Sequence, residues 1–500
     1  MNATRTDLHG TAAGGRRLRI AVGPGLALGL LLTGCAAVGP DYQRVEPAAP
    51  AAWHGALSGG LDGEAADREA LARWWTLLDD PLLTSLEDRA VRGNLDLKQA
   101  RARLGEARAR RGLSRAGLYP TVGVGAAATK SRSSENSGSG REIELYRAGF
   151  DAGWELDVFG GVRRSVEAAD ADLAASTEAL RDVLVSLTAE VGLNYVDVRA
   201  YQARLAAARS NLDAQKDTYD LNASRYTAGL IDELPVQQAR YNLERTRSQI
   251  PQLERGLAAV MNRLAVLLGE APGALAEQLA PPGPVPAVPL TVAVGIPAEA
   301  LRRRPDVRRA ERELAAQSAR IGVATADLYP RFRLFGSIGL ESLELGDLTT
   351  WGSRTFAVGP SVSWRLFDAG AVRRNIEVQN ARHEQALVGY QAAVLGALEE
   401  VENGLVAFAK VQERREALAR ATEAAGRADQ VARDRYRAGL VDFSNVLDAQ
   451  RSLLGFQDEL AQSQGAVAIE LVRLYKALGG GWGEEGAPEL PVEDPGGTKP

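Results

Sequence analysis

The sequence predicts a mainly α-helical chain, built twice over, with two pairs of β-strands suited to crossing a bilayer. Three observations predict it. A fixed offset of 210 residues relates the two halves, a seven-residue apolar period runs through a long helical stretch, and the strands alternate apolar and polar residues with period two.

The offset is clearest in the strand regions. Ala116-Gly117-Leu118-Tyr119-Pro120 opens one and Ala326-Asp327-Leu328-Tyr329-Pro330 the other, so Tyr119 and Tyr329 are 210 residues apart, as are Trp154 and Trp364. Gly370 answers Gly160, Arg373 and Arg374 answer Arg163 and Arg164, and Tyr436 and Gly439 answer Tyr226 and Gly229. A repeat of this length makes one supersecondary unit the thing to interpret, since each half should fold alike.

Composition bounds the class. Hydrophobic content of 45% and charged content of 25% are globular values. The net charge is −5, and removing residues 1–34, with four arginines and one aspartate, takes it to about −8. Nothing in that balance suits nucleic acid. The single cysteine, Cys35, excludes an internal disulfide. Outside the leader, no apolar run reaches the ~18 residues of a membrane-spanning helix.

Arg16, Arg17 and Arg19 precede the apolar run 20–32, which ends Leu32-Thr33-Gly34-Cys35. A basic segment, an apolar segment and small residues before a cysteine form a lipoprotein export signal. Cleavage would leave Cys35 as an acylated N-terminus, a covalent lipid anchor strengthened by ~0.8 kcal/mol per buried CH₂. Ala36 rather than Asp follows it, which by analogy with bacterial lipoproteins fits sorting to the outer membrane. Residues 35–70, rich in Ala, Gly and Pro, are expected to form an extended tether.

The first repeat, 71–270, begins with Trp74 and Trp75, read as packing residues. A helix is expected over 86–116, strands over 119–130 and 144–158 around a Ser/Gly/Asn-rich loop, and a long helix over 161–226. In that helix Leu184, Val191, Val198, Leu205, Leu212, Tyr219 and Tyr226 recur every seven residues, a coiled-coil period, and ~66 residues span ~100 Å. A turn over 226–235 follows, with Gly229 as left-handed cap and Pro235 in the first turn of the next helix, over 235–269. A Pro-rich linker at 271–297 is expected between the halves. The second repeat, 298–478, gives strands 329–340 and 355–367, a long helix over 370–436 and a tip at 436–445. The tail 479–500 is expected to be disordered.

The strands carry the membrane signal. Tyr146, Phe150, Trp154 and Leu156 share one parity, against Arg147, Asp151 and Glu155; Leu334, Ile338, Phe356, Val358, Val362 and Trp364 repeat the pattern. Alternation puts the apolar set on one face, with Phe150, Trp154, Leu334, Phe356 and Trp364 as lipid-facing candidates. Strands of about 10 residues cross a bilayer when tilted. Four are too few to close a barrel, and sheet edges in lipid must be closed. Several chains must pool strands: two would give eight, with a filled interior, and three would give twelve, with room for a pore.

These residues resemble the outer-membrane factors of tripartite efflux systems, the TolC/OprM/NodT-like channels. The resemblance is carried by Leu32-Thr33-Gly34-Cys35, Val38-Gly39-Pro40-Asp41-Tyr42, the two Leu-Tyr-Pro strand starts, Trp364-Arg365-Leu366-Phe367-Asp368-Ala369-Gly370, Arg435-Tyr436-Arg437-Ala438-Gly439-Leu440, and Asn445-Val446-Leu447-Asp448-Ala449-Gln450-Arg451. It implies a homotrimer sharing a 12-stranded β-barrel in outer-membrane lipid and a duplicated α-helical barrel in the periplasm. It also implies passive conduction of drugs or other small molecules from an inner-membrane RND-type pump through a periplasmic adaptor, with no enzyme activity and no cofactor. The tips, with Gly229, Leu230, Asp232, Gly439 and Leu440, would dock the adaptor. Asp448, Asp442 and Arg451 would form the periplasmic constriction, with Asp448 as a three-fold acidic ring. The first repeat has Gln238 at the position of Asp448, and Asn445 stands where the family often has an acid. Asp448 also admits a plainer reading, a solvated helix-face charge or an intersubunit ion pair to Arg451 or Arg240.

Three rivals remain. An enzyme would need a reactive cluster, yet the histidines are His9, His54 and His383, far apart in sequence. A lipid-anchored periplasmic coiled-coil scaffold explains the heptads but not the strands. A channel for protein secretion shares the architecture.

Overall fold

The computed structural model describes residues 37–483 apart from 48, 56 and 66, so Cys35 and the leader lie outside the described residues. The elements, in chain order, are β1 (Leu61–Asp62), α1 (Arg68–Ala72), α2 (Pro81–Gly93), α3 (Leu95–Ala116), β2 (Thr121–Arg132), β3 (Glu142–Leu156), α4 (Gly161–Thr227), α5 (Leu234–Leu267) and α6 (Ala276–Leu279). They continue with β4 (Val292–Ala293), α7 (Pro297–Arg303), α8 (Pro305–Ala326), β5 (Arg331–Ser342), β6 (Arg354–Ser363), α9 (Ala371–Arg437) and α10 (Phe443–Ala477). Both long helices, α4 and α9, have 67 residues.

The chain divides into two compact units. One holds Gly117–Arg164 and Gly322–Arg373 with the residues just before Pro40. Its sheet has the order β2-β3-β5-β6, antiparallel throughout. β2 and β5 each start two residues later than expected, because the Leu-Tyr-Pro segments form helix-ending turns, Tyr329 N–H donating to the Ala326 carbonyl, rather than first strand residues; β3 runs two residues earlier than expected at both ends, and β6 stops at Ser363, four residues short of the expected end. The start of each long helix is capped by a carboxylate in this unit. Asp157 accepts from the amides of Val162 and Arg163 (2.9 and 2.8 Å), and Asp368 from those of Gly370 and Val372 (2.8 and 2.9 Å). Acid at a helix N-terminus satisfies donors that the helix leaves open.

The other unit holds the helices. Its main core gathers Trp74, Trp75, Leu83, Leu86, Val191, Tyr195, Leu264, Phe408, Leu471 and Tyr475. Trp74 is fully buried, edge-on to Trp75 at 5.8 Å and stacked on Tyr475 at 6.1 Å, and a Cβ on Gly192 would meet its ring at 2.4 Å. Helix order follows from side-chain pairs. Arg111 of α3 pairs with Asp170 of α4, Arg320 of α8 with Asp172 of α4 (2.5 Å), and Gln317 of α8 with Gln379 of α9 (2.9 Å). The sequence α3-α4-α8-α9 parallels the strand order that these helices lead into or out of.

Four features depart from the sequence expectation. The helix expected over 86–116 is two helices, broken at Asn94, whose side chain accepts from the Leu97 amide and donates to the Leu267 carbonyl (both 2.9 Å). The helix expected over 298–327 in the second repeat has the same break, at Arg304 before Pro305, and Arg304 donates to the Ala477 carbonyl at 3.0 Å. The tether is extended but held: Trp53 donates to Gly295 O (2.8 Å), Tyr390 to Val45 O (3.2 Å), and β1 pairs in parallel with β4. The linker is not bare chain either; it carries α6 and β4 and buries Leu275, Leu279, Val292 and Val294 in the core. Finally, 479–483 docks rather than hanging free. Gly481 N–H donates to Leu71 O at 2.9 Å, and the guanidinium groups of Arg181 and Arg308 stand 4.5 and 5.3 Å from the Trp482 ring centroid. Those arginines also grip Glu178 (2.7 and 2.9 Å), whose carboxyl is pushed up because burial outweighs both of them.

Candidate functional site

Two places carry the residues singled out by the sequence, the sheet and the hairpin tips. In the sheet, register decides which side chains share a face. Val124 stands opposite Phe150, Phe150 opposite Ile338, Trp154 opposite Leu334, and Ile338 opposite Phe356. Phe150, Trp154, Leu334 and Phe356 therefore lie on one side with Val122, Val124, Val358 and Val362, whereas Trp364, expected within the last strand, stands just past its end at Ser363; all are exposed in the single chain. An apolar face this large on a soluble monomer marks an interaction surface. Trp154 and Trp364 donate their ring N–H to the Leu118 and Leu328 carbonyls, 3.0 Å each, at positions 210 apart.

The opposite face carries mostly small and polar residues, with Phe335 among them between Gly153 and Gly359. Arg147 pairs with Glu341 across the strands at 2.6 Å, and Glu155 stands opposite Arg333. Gly149 and Gly339 are direct partners there. A Cβ on either would come within 2.9–3.0 Å of the other's Cα and within 2.7–2.8 Å of a neighbouring carbonyl oxygen, too close for any side chain. The two backbones close on one another on this face, and only glycine leaves room for that approach.

The tips are duplicated C-caps. Gly229 N–H donates to Tyr226 O and Leu230 N–H to Arg225 O (both 2.9 Å); Gly439 and Leu440 repeat this on Tyr436 and Arg435 (3.0 and 2.9 Å). Those are the two bonds of a Schellman motif. The glycines have φ of +72° and +75° with open space around them, so conformation and not crowding requires them. Leu230 and Leu440 project into solvent, 72% and 73% exposed. Asp442 occupies the N-cap position of α10 without a side-chain cap bond.

Asp448 is exposed and pairs within its own chain with Arg451 at 3.7 Å. Arg451 in turn reaches the Tyr241 hydroxyl and lies 5.3 Å from the Tyr241 ring centroid. Tyr241 was missed in the sequence, although it is the 210-residue counterpart of Arg451. Also missed was a polar lock behind the tips: Tyr436 donates to the buried Asn222 at 2.9 Å, and Arg225 stacks on Tyr436 at 5.2 Å and donates to the Arg437 carbonyl at 3.4 Å. Asn222 has Ala432 as counterpart, so the repeat gave no signal for it. Among the described residues, no helix is long and apolar enough to cross a membrane and no group of three or more acidic, His or Cys side chains could hold a metal ion.

Comparison with known proteins follows the same geometry. A family model described as outer membrane efflux protein matches twice, at residues 86–270 and 296–480, again 210 apart. Nodulation protein T of Rhizobium leguminosarum bv. trifolii is 33% identical over 91% of this chain and 96% of that relative. Outer membrane protein OprJ of Pseudomonas aeruginosa is 33% identical over 91% and 95%. Among solved structures, the outer-membrane channel OprN aligns with a TM-score of 0.84 at 38% identity, covering 89% of this chain and 99% of that one. The open state of the Neisseria gonorrhoeae MtrE outer membrane channel aligns with a TM-score of 0.78 at 28% identity, covering 89% and 99%. A duplicated family match, on a chain whose sheet and hairpin tips repeat at the same spacing, means that the chain belongs to the outer membrane efflux protein family and is an outer-membrane efflux channel.

Proposed function

We propose that three copies of this chain form one conduit, pooling their strands in a 12-stranded barrel in outer-membrane lipid and their helices in a periplasmic tunnel. One observation carries the reading: a four-stranded sheet with two open edges and an exposed apolar face. The close Gly149–Gly339 pass on the opposite face, in this reading, bends the sheet toward its small and polar residues. Open edges are not tolerated in lipid, and the bend turns the polar side toward a lumen. Phe150, Trp154, Leu334, Phe356 and Trp364 then face lipid, and Cys35 carries an acyl anchor.

Transport through such a conduit is passive and needs no cofactor. Drugs or other small molecules enter from an inner-membrane RND-type pump through a periplasmic adaptor. The adaptor docks on the tips, where Gly229, Leu230, Asp232, Gly439 and Leu440 present bare backbone and exposed leucine. Three copies of Asp448 make an acidic constriction, with Asp442 beside it and Arg451 holding each carboxylate. Electrostatics at close quarters favours cations there.

Purified protein in planar bilayers tests this. The expected result is a cation-preferring conductance that rises, and loses its block by polyvalent cations, in Asp448→Ala. Unchanged conductance and block would remove the constriction role. Chemical cross-linking in outer-membrane fractions tests the trimer separately, and a chain that yields only monomers would remove the shared barrel.

A further inference from the structure

The strands repeat the offset in their pairing as well as in their residues. Partners in the β2–β3 ladder have numbers that total 274, as in Thr121 with Gly153. Partners in β5–β6 total 694, as in Arg331 with Ser363, larger by twice 210. The two hairpins are therefore equivalent residue for residue. In the β3–β5 ladder the total is 488, as in Trp154 with Leu334. Adding 210 to β3 gives β6, and subtracting 210 from β5 gives β2, so the total stays at 488. β2 and β6 are the strands left with open edges, and three successive antiparallel ladders make them run in opposite directions.

We propose that β6 of one copy pairs with β2 of the next copy in the register whose residue numbers total 488. Val362 then faces Ala126 of the next copy, and Pro360 faces Ala128. All four residues stand on the apolar face. This rests on the trimeric reading and goes beyond it by fixing which residues meet.

The helices supply an independent argument for the same operation. Within the chain, α4 packs on α8 through Glu178–Arg308 and Asp182–Arg309 (2.9 and 3.5 Å). Moving each partner by 210 turns this into α9 of one copy on α3 of the next. The α4 positions Ala168, Glu178 and Val185 are buried, while their counterparts Val378, Val388 and Leu395 are 46%, 56% and 67% exposed. On α8, Ala315 and Ala319 are buried, while their counterparts on α3, Gly105 and Ala109, are exposed, and a Cβ on Gly105 would touch nothing. A side that is covered in one half and bare in the other fits a second copy standing where the first half stands.

The seam also differs from its internal model. The pinched Gly149–Gly339 pair becomes Gly359 with Thr129, and the Arg147–Glu341 ion pair becomes Ala357 with Ser131. The Thr129 side chain does not fit a closure as tight as that pair makes, so the bend is concentrated inside each chain and the seam is the flatter ladder.

Disulfide trapping in the full chain tests the register, because a disulfide needs Cα atoms within ~7 Å. Opposed partners lie at ~4.5–5.5 Å, and two-residue shifts exceed that reach. Val362→Cys with Ala126→Cys should give covalent dimers and trimers on oxidation of outer membranes. Pairing Val362→Cys with Val124→Cys or with Ala128→Cys should give at least several-fold less. Pro360→Cys with Ala128→Cys, also in register, guards against a local folding fault in the first pair. Stronger trapping of a shifted pair would overturn the register. Failure of all pairs, while an amine cross-linker still yields trimers, would overturn the seam alone. Loss of trimers with that cross-linker too would bring down the trimeric reading and the register with it.

Discussion

The two halves of this chain solve one packing problem with different residues. In the first half, α2 ends at Gly93 where it meets the end of α5. A Cβ on Gly93 would fall 2.0 Å from the Leu268 carbonyl oxygen, and one on Gly269 2.3 Å from the Gly93 oxygen. In the second half the same crossing joins Arg303 and Arg304 to Gly479, and the nearest approach of a Gly479 Cβ is 3.3 Å. Asn94 bonds the Leu267 carbonyl, and Arg304, its counterpart, bonds the Ala477 carbonyl, itself the counterpart of Leu267. Arg304 adds a carboxylate pair on each side, Asp306 at 2.6 Å and Glu400 at 2.7 Å. Geometry is kept across the duplication while chemistry is free to change, because backbone crossing leaves no room and a hydrogen bond to a carbonyl accepts any donor.

That comparison can be broken most sharply at the crossing. Gly269→Ala combines a positive φ of +77° with a backbone clash and should cost about 3–5 kcal/mol. Gly479→Ala, with φ +76° and a looser approach, should cost about 1–3 kcal/mol. Thermal denaturation of the two variants in detergent measures the difference, and equal losses would mean that the two crossings are equally tight.

A second asymmetry is Glu87, whose counterpart is Pro297. It is fully buried, neither carboxylate oxygen has a hydrogen-bond partner, and burial, then Asp88, pushes its carboxyl well above the usual 4.5. Below that value both folded and unfolded chains are protonated. As pH rises above it, the unfolded chain ionises while the folded chain keeps its proton, so this group's contribution to stability falls with pH until the folded carboxyl also ionises. Glu87→Gln should flatten that fall, raising Tm more at pH 8 than at pH 5. A variant whose Tm tracks the parent at both pH values would show the carboxyl to be ordinary.

The tips sharpen the comparison from the other side, since here the halves agree. Gly229→Ala and Gly439→Ala meet no neighbouring atom, so each should lose only the ~1–2 kcal/mol of a left-handed residue. Matching losses in the two variants would support equal caps, and unequal ones would reveal a tertiary constraint at one tip. Smallest of all is Asp448→Asn. Its exposed pair with Arg451 should change stability by less than ~0.5 kcal/mol, leaving any change in conductance attributable to charge at the tip and not to unfolding.

Much of the fold was legible in the residues because its signals are local and occur twice. Period two marked the strands, period seven the long helix, and Gly229 and Gly439 the turns, each conformational preference expressed within a few residues. The break at Asn94 was not legible: residues 86–116 read as one helical pattern, and only the close pass of Leu268 and Gly269 explains why the chain must stop and restart there. The tether, the linker and Trp482 look like loop by composition, yet each finds partners far along the chain. At the tips the sequence singled out Asp448 and Arg451, but the Tyr241 contact and the Tyr436–Asn222 lock depend on how two hairpins lie together.

By itself the sequence determined the duplication, the faces of β3, β5 and β6 and the left-handed caps, since periodicity and φ preference act within a short span of chain. Only the tertiary structure decided the ladder totals, the close Gly149–Gly339 pass and the crossings at Gly269 and Gly479. Those depend on which distant backbones approach one another, and a side chain that is absent leaves no trace of what passes beside it.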